Sequence, residues 1–211
     1  MLKSANRLVQ ANLKAQQPIS TPSSSSMLLK RPFFHQRLVA QGVRAFHTTV
    51  DASQKFTHVS EDGKLKMVNV SDKSVTKRTA TATGKVVLNP EIIALIRENS
   101  IKKGDVIAVA KIAGIMAAKN TDTLIPLCHN IALSSVSIDI EILDDSAALR
   151  ILATAVAVDK TGVEMEALTA VSVAALTVYD MCKAFSHDIF IEGIQLKEKT
   201  GGKSYYKRCD S

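Results

Sequence analysis

Thr161–Ala184 reads TGVEMEALTAVSVAALTVYDMCKA. Between Ala167 and Tyr179 it runs thirteen residues without a charge. The pattern predicts one long helix from about Val163 to Ala184. A helix that is apolar all round must be covered on more than one side. Its Ala, Ser and Thr content suits close approach of another backbone. One sheet cannot cover all its sides, so the same pattern predicts an oligomer.

The segments around this helix set the topology. Upstream, Ile131–Leu143 alternates in part, with Val136, Ile138, Ile140 and Ile142 against Ser137, Asp139 and Glu141. Such alternation is the mark of a half-buried strand. Asp144-Asp145-Ser146 makes a turn and Leu149–Val158 a return strand, so an antiparallel hairpin is expected. Further upstream, Lys77–Leu88 is a β-branched run broken by Gly84. Asn89-Pro90-Glu91 starts a helix: a capping side chain, proline in the first turn, an acid at the positive end. Gly104-Asp105 opens a second helix to about Lys119, and Asn120–Asn130 is expected as a loop around Pro126. Met67–Val70 is a short strand candidate, and Ile189–Leu196 is the last strand. Strand, helices, strand, strand, helix, strand is the ferredoxin-like βαββαβ order. The expected fold class is therefore α+β, an antiparallel sheet with helices packed on one face.

Composition narrows the function. The chain has 211 residues with 27 Lys plus Arg and 20 Asp plus Glu, a formal charge of +7. Its pI near 9.3 invites a nucleic-acid or membrane reading. Residues 1–50, however, hold Lys3, Arg7, Lys14, Lys30, Arg31, Arg37 and Arg44 and no acid. Residues 51–211 then carry 20 basic and 20 acidic residues, so the excess lies in the first quarter. Trp is absent and aromatics are 4%, which leaves little for a base-stacking surface. Cys128, Cys182 and Cys209 make no disulfide framework and no CxxC pair, so no metal site is expected. No uninterrupted apolar run reaches a membrane span. Neither a nucleic-acid nor a membrane partner is expected.

The first fifty residues read as an address. Leu2, Ala5, Leu8, Val9 and Leu13 share one helical face, with Lys3, Arg7 and Lys14 opposite. Pro18, Pro22 and Ser23–Ser26 follow. Arg-rich, Ser-rich and acid-free is the signature of an organelle transit peptide. Arg44-Ala45-Phe46 resembles a mitochondrial processing site. The expected organisation is a transit peptide and linker over residues 1–53, a polar extension over 54–66, and a folded domain over 67–211. The expected location is the mitochondrial matrix.

Four groups of residues could carry chemistry. Leu127-Cys128-His129 follows Pro126 in a loop. Glu164, Met165 and Glu166 stand at the mouth of the long helix. Asp180 and Lys183 are the first charges after its uncharged centre and lie three apart on one face. If that helix is buried at an interface, such a pair suits proton transfer. Lys77-Arg78, Lys102-Lys103, Lys111 and Lys197–Lys203 are the cations. Gly201-Gly202 lets backbone N–H groups approach an anion that Lys199 and Lys203 neutralise. The spacing of a Walker P-loop is missing. Each group also has a plain structural reading: a buried thiol beside a surface imidazole, acids favoured by the helix dipole, a surface ion pair, a solvated basic tail.

Three longer stretches narrow these alternatives. MVNVSDKSVTKRTATATG at Met67–Gly84, KIAGIMAAKNTDTLIPLCHN from Lys111 and KTGGKS at Lys199–Ser204, with the long-helix stretch, closely resemble the MoaC family. These are the cyclic pyranopterin monophosphate synthases, and the resemblance covers about Met67 to Ser204. It implies a ferredoxin-like fold assembled as a hexamer, a trimer of dimers, with sites at subunit interfaces. It implies the step of molybdenum cofactor biosynthesis that converts 3′,8-cyclo-7,8-dihydro-GTP to cyclic pyranopterin monophosphate with loss of pyrophosphate. By position, Asp180 and Lys183 would form the acid/base centre. Leu127, Cys128, His129, Met165 and Glu166 would line the substrate site, supported by Glu164. Arg78, Lys103, Lys199 and Lys203 would hold the triphosphate. No cofactor is required, and magnesium on the triphosphate stays open, as does docking of the upstream radical GTP cyclase. Asn69, Asn130 and Tyr205 depart from the family's usual Asp, Pro and Gly.

Two other readings compete with a lyase. A non-catalytic ferredoxin-like nucleotide-binding module predicts aromatics on the open sheet face and a net basic domain. The balanced charge and few aromatics of residues 51–211 speak against it. A structural oligomer that lost activity is opposed by the joint presence of Asp180, Lys183, His129 and Glu166.

Overall fold

The computed structural model describes residues 63–209. The stretch expected to be a transit peptide, with its expected cleavage site, and the first part of the expected polar extension lie outside the described residues. Alternating Thr and Ala with flanking Val builds the first strand, β1 (Thr76–Val87). Asn89 then caps α1 (Pro90–Arg97): its side chain accepts the Ile92 N–H, and Pro90 stands where no intrahelical donor is needed. Asp105 caps α2 (Val106–Lys119) in the same way, accepting from the Ala108 N–H. A short α3 (Thr121–Leu124) follows, inside the stretch expected to be a loop. The buried Thr121 hydroxyl bonds back to the carbonyls of Ala117 and Ala118, which carries the chain from α2 into α3.

The hairpin is β2 (Leu133–Leu143) and β3 (Ala148–Asp159), turning through Asp144–Ser146. The long helix is α4 (Glu164–Cys182), and β4 (Phe190–Thr200) and β5 (Tyr206–Lys207) complete the chain. The strands pair antiparallel in the order β2-β3-β1-β4-β5. The first four strands have the ferredoxin-like order, as expected, and β5 is an addition at the edge. Met67–Val70 is not a strand. It finds no ladder partner, and its Val68 carbonyl is taken by a side chain, His129.

Period-two alternation gives β1 and β3 one buried face. Ala80, Ala82 and Val86 are buried, as are Ile151, Ala153, Ala155 and Ala157. Thr81 and Thr154 lie on the opposite face and share a hydrogen bond of 3.0 Å. The helices cover the first face. A Cβ added at Gly84 would stand 2.7 Å from Val171 of α4. Small residues bring the two long helices together: a Cβ at Gly114 of α2 would meet the Ala170 carbonyl of α4 at 2.8 Å. Ala167, Ala170, Val171, Ala174, Ala175 and Val178 are fully buried in consequence. Each such Val contributes about 1.5–3 kcal/mol relative to exposure. α4 also has the length and hydropathy of a membrane span, and just over half of that stretch is buried against its neighbours. Its N-terminus and C-terminus carry the two halves of the candidate site.

Candidate active site

Two adjoining cavities lie at the N-terminal end of α4. The larger, about 760 Å³, is lined by the start of β1 and the segment before it, the end of β4 with its following loop, and residues 160–164. Its cations are Arg78, Lys73, Lys160, Lys199 and Lys203. Arg78 is buried and held in place: Nε donates to the Asp159 carbonyl at 3.3 Å and Nη2 to the Lys160 carbonyl at 3.4 Å. Gly201 has φ +83°, and a Cβ there would fall 1.8 Å from the Lys77 carbonyl oxygen. Only glycine lets this loop press against β1. The Thr76 hydroxyl clamps it by donating to the Gly201 carbonyl at 2.7 Å. Lys199 is already paired, with its Nζ 3.0 Å from Glu164 Oε1.

The smaller cavity, about 280 Å³, is lined by Leu127, Cys128, His129, Met165 and Glu166 together with Val68, Val70 and Ile131. Lys73, Thr161 and Gly162 line both cavities, so the two meet there. Glu166 is 3% exposed and its Oε2 is buried with no hydrogen-bond partner among the described residues. Burial pushes its carboxyl up to about 7; its own backbone N–H opposes the rise, and the negative charges of Glu164 and Asp122 add to it. The same burial raises the Cys128 thiol, helped by Glu166 and Asp122. Such a thiol is a poor nucleophile at neutral pH. His129 Nε2 lies 2.8 Å from the Val68 carbonyl. A carbonyl only accepts, so Nε2 carries the hydrogen.

The remaining predicted residues lie elsewhere in the chain. Asp180 and Lys183 meet as expected, with Lys183 Nζ 2.7 Å from Asp180 Oδ1. Lys103 joins them, 2.9 Å from Asp180 Oδ2, and its Nζ also donates to the Asp180 carbonyl at 2.6 Å. The two lysines, Lys183 first, hold the Asp180 carboxyl down at about 2, and Asp180 in turn raises Lys183. All three side chains are about half exposed, so the pair is not desolvated within one chain. The Asp180 carboxylate thus holds two ammonium groups, those of Lys183 and Lys103. Sixteen residues of α4 separate Glu164 from Asp180, about 24 Å at 1.5 Å per residue. One chain thus brings Arg78, Glu164, Lys199 and Lys203 to one cavity, and Leu127, Cys128, His129, Met165 and Glu166 to its neighbour. Asp180, Lys183 and Lys103 stand a helix length away.

Sequence reasoning missed Lys73, Lys160 and Thr161. Lys160-Thr161 directly precede Gly162, and Lys73 sits in the quoted Ser71-Asp72-Lys73 turn; neither position stands out by charge spacing. Asn69 lines the larger cavity but its Oδ1 is occupied by the Ser71 N–H at 2.9 Å. Asn130, in place of a usual proline, donates to Asp122 at 2.6 Å and ties the loop behind His129.

A cationic cavity joined to a small one that holds a buried acid defines a small-molecule enzyme of the ferredoxin-like α+β class. Residues 67–202 match the MoaC family. The chain belongs to that family. Cyclic pyranopterin monophosphate synthase of a Nocardioides species is 53% identical over 155 residues, 73% of this chain and 95% of the relative. The Arabidopsis thaliana protein named cyclic pyranopterin monophosphate synthase, mitochondrial, is 50% identical over 165 residues, 78% of this chain and 61% of that one. Molybdenum cofactor biosynthesis protein 1 of Drosophila melanogaster is 53% identical over 154 residues, which is 73% of this chain and 27% of that longer protein.

Proposed function

We propose that this cyclic pyranopterin monophosphate synthase acts on 3′,8-cyclo-7,8-dihydro-GTP through a site completed by a second copy of the chain. The observation that carries this reading is the juncture of the two cavities at Lys73, Thr161 and Gly162. The larger, cationic cavity suits a triphosphate. The smaller suits the ring system, with Glu166 Oε2 and His129 offering polar atoms to it. Ring rearrangement needs proton transfers, for which Lys183 and Lys103 are poised. Loss of pyrophosphate needs cations on the leaving oxygens, which Arg78, Lys160 and Lys203 supply.

The distance along α4 motivates the second copy. Asp180, Lys183 and Lys103 cannot reach the cavities of their own chain across about 24 Å. A two-fold pairing in which α4 meets its mate head to tail would bring each C-terminal cluster to the other chain's cavities. Assembly as a hexamer, a trimer of dimers, extends that reading. The mitochondrial matrix as destination rests on the acid-free, amphipathic first fifty residues.

The test is direct. The purified full chain is incubated with 3′,8-cyclo-7,8-dihydro-GTP, and pyranopterin and pyrophosphate are followed together. Equal amounts of both products are expected. Formation of neither would end the reading. Binding without turnover would favour the nucleotide-binding module instead.

A further inference from the structure

Asn130 lies behind the smaller cavity rather than in it. Leu127, Cys128 and His129 line that cavity; Asn130 and Asp122 do not. The three lining residues belong to a loop, residues 125–130, that leaves α3. Backbone bonds fix its near end. Pro126 disfavours helix at the residue before it, and Ile125 stands at φ −113° and ψ 104° with its N–H on the Thr121 carbonyl at 2.9 Å. The Cys128 N–H then closes a turn on the Ile125 carbonyl at 3.0 Å. Side chains fix the far end. β2 takes up its ladder at Leu133, opposite Ala157. Before that point the His129 ring holds the Val68 carbonyl at 2.8 Å, and Asn130 Nδ2 donates to Asp122 Oδ2 at 2.6 Å.

The Asn130 bond spans the loop. It joins position 130 to a residue of α3 eight positions back, so the loop becomes a closed ring of chain. An ionised carboxylate only accepts, so the amide must turn its NH2 towards Asp122. Such a charge-assisted bond is stronger than one between neutral groups. Asp122 is half-buried, and its charge is felt inside the cavity. It adds to the rise of the Cys128 thiol and of the Glu166 carboxyl, both raised first by burial. A wall fastened in this way leaves less ordering to do when a ligand enters.

We infer that Asn130 is a positioning residue for the ring system of the substrate, acting through its bond to Asp122 on the loop that presents Leu127, Cys128 and His129. The identity of the ring rests on the proposed function; the bond rests on the geometry of this chain. Asn130 reaches the ring only through the loop. Its effect is on how well the ring is seated, and so belongs to KM rather than to kcat.

The test compares full-length wild type, Asn130→Ala, Asn130→Asp, and Asn130→Asp combined with Asp122→Asn. Asn130→Ala removes the donor. Asn130→Asp sets two carboxylates against each other, and adding Asp122→Asn restores a donor and an acceptor with their places exchanged. With 3′,8-cyclo-7,8-dihydro-GTP, the two single variants are expected to raise KM about 10-fold with kcat changed less than about 3-fold, and the exchange should bring KM back to within about 3-fold of wild type. A second readout needs no turnover: the rate at which iodoacetamide alkylates Cys128, followed by peptide mass with the exposed Cys209 as reference. That rate should rise about 5-fold or more in both single variants and fall back in the exchange. Asn130→Ala leaves the Asp122 charge in place and Asn130→Asp adds another, so neither makes the thiol more acidic, and faster alkylation reports an opened loop. An unchanged KM in Asn130→Ala would overturn the inference even with faster alkylation, since the loop would then be held without seating the ring. A fall in kcat at constant KM, or a loss that the exchange does not repair, would overturn it too. A wild type that turns over nothing would remove the proposed function itself, while unaltered Cys128 alkylation would by itself overturn the hold of Asn130 on the loop.

Discussion

Glu166→Gln tests the raised pKa of the acid at the mouth of α4. The carboxyl is 3% exposed, and one oxygen has no partner among the described residues. Its pKa is pushed from the ordinary 4.5 up to about 7, burial first. The folded state therefore binds this proton more tightly than the unfolded chain. Below about pH 4.5 both states are protonated and the site costs nothing. As pH rises towards about 7 the unfolded chain ionises freely while the folded chain cannot, so stability is lost across that window. Above it the loss levels off at about 3 kcal/mol, from 1.36 kcal/mol per pH unit. Glutamine has the shape of the protonated acid and never ionises. Urea unfolding of wild type and Glu166→Gln at one protein concentration, from pH 4 to 8, isolates the contribution. The variant should be close to wild type at pH 4 and gain about 3 kcal/mol on it by pH 8. A difference that does not change with pH, or one that grows in the opposite direction, would refute the raised pKa of Glu166.

Three further outcomes are expected. Lys183→Ala should reduce product formation by about 100-fold or more while moving Tm by no more than about 2 °C, because the lysine is half exposed; calorimetry and the product assay check the two halves. Gly114→Ala should destabilise the fold by about 1–3 kcal/mol despite alanine's better helix propensity. Its Cβ would fall 2.8 Å from the Ala170 carbonyl, and a stabilised variant in urea would contradict the close approach of α2 and α4. Gly201→Ala should raise KM for the triphosphate substrate about 10-fold or more and lower Tm as well, since φ +83° and the Lys77 carbonyl both exclude a side chain there and the loop must move off β1; steady-state kinetics and a thermal melt test it.

What could be read from residues alone follows periodicity and capping. The alternation on the hairpin, the Asn89-Pro90-Glu91 start and the uncharged centre of α4 each left a local pattern that tertiary packing did not override. Met67–Val70 misled because its apolar alternation serves a different end. Val68 and Val70 line the smaller cavity as an arm, and a carbonyl goes to His129 rather than to a strand. α3 was hidden in a Thr-rich, Pro-containing stretch whose helix depends on the Thr121 hydroxyl turning back on α2. β4 runs to Thr200, past the expected Leu196, because Lys199 and Thr200 pair with Ala80 and Thr79. A run of charges gave no sign of that ladder. The site divides along the same line. Residues adjacent in sequence, such as Cys128-His129 and Glu164-Glu166, were visible as groups. The meeting of Lys73 with Gly162 and of Lys103 with Asp180 is a product of topology, and no spacing in the chain encodes it.

Mixing two disabled chains tests the shared site most directly. Lys183→Ala removes a group at the C-terminal end of α4, and Arg78→Met removes one from the cavity at its N-terminal end. Each variant alone should be nearly inactive. Unfolded together in equal amounts and refolded, they should form mixed pairs in which one of the two sites holds both intact halves. About a quarter of wild-type activity is then expected from random pairing across a two-fold interface. Activity that stays at the sum of the separate variants would contradict a site built from two copies.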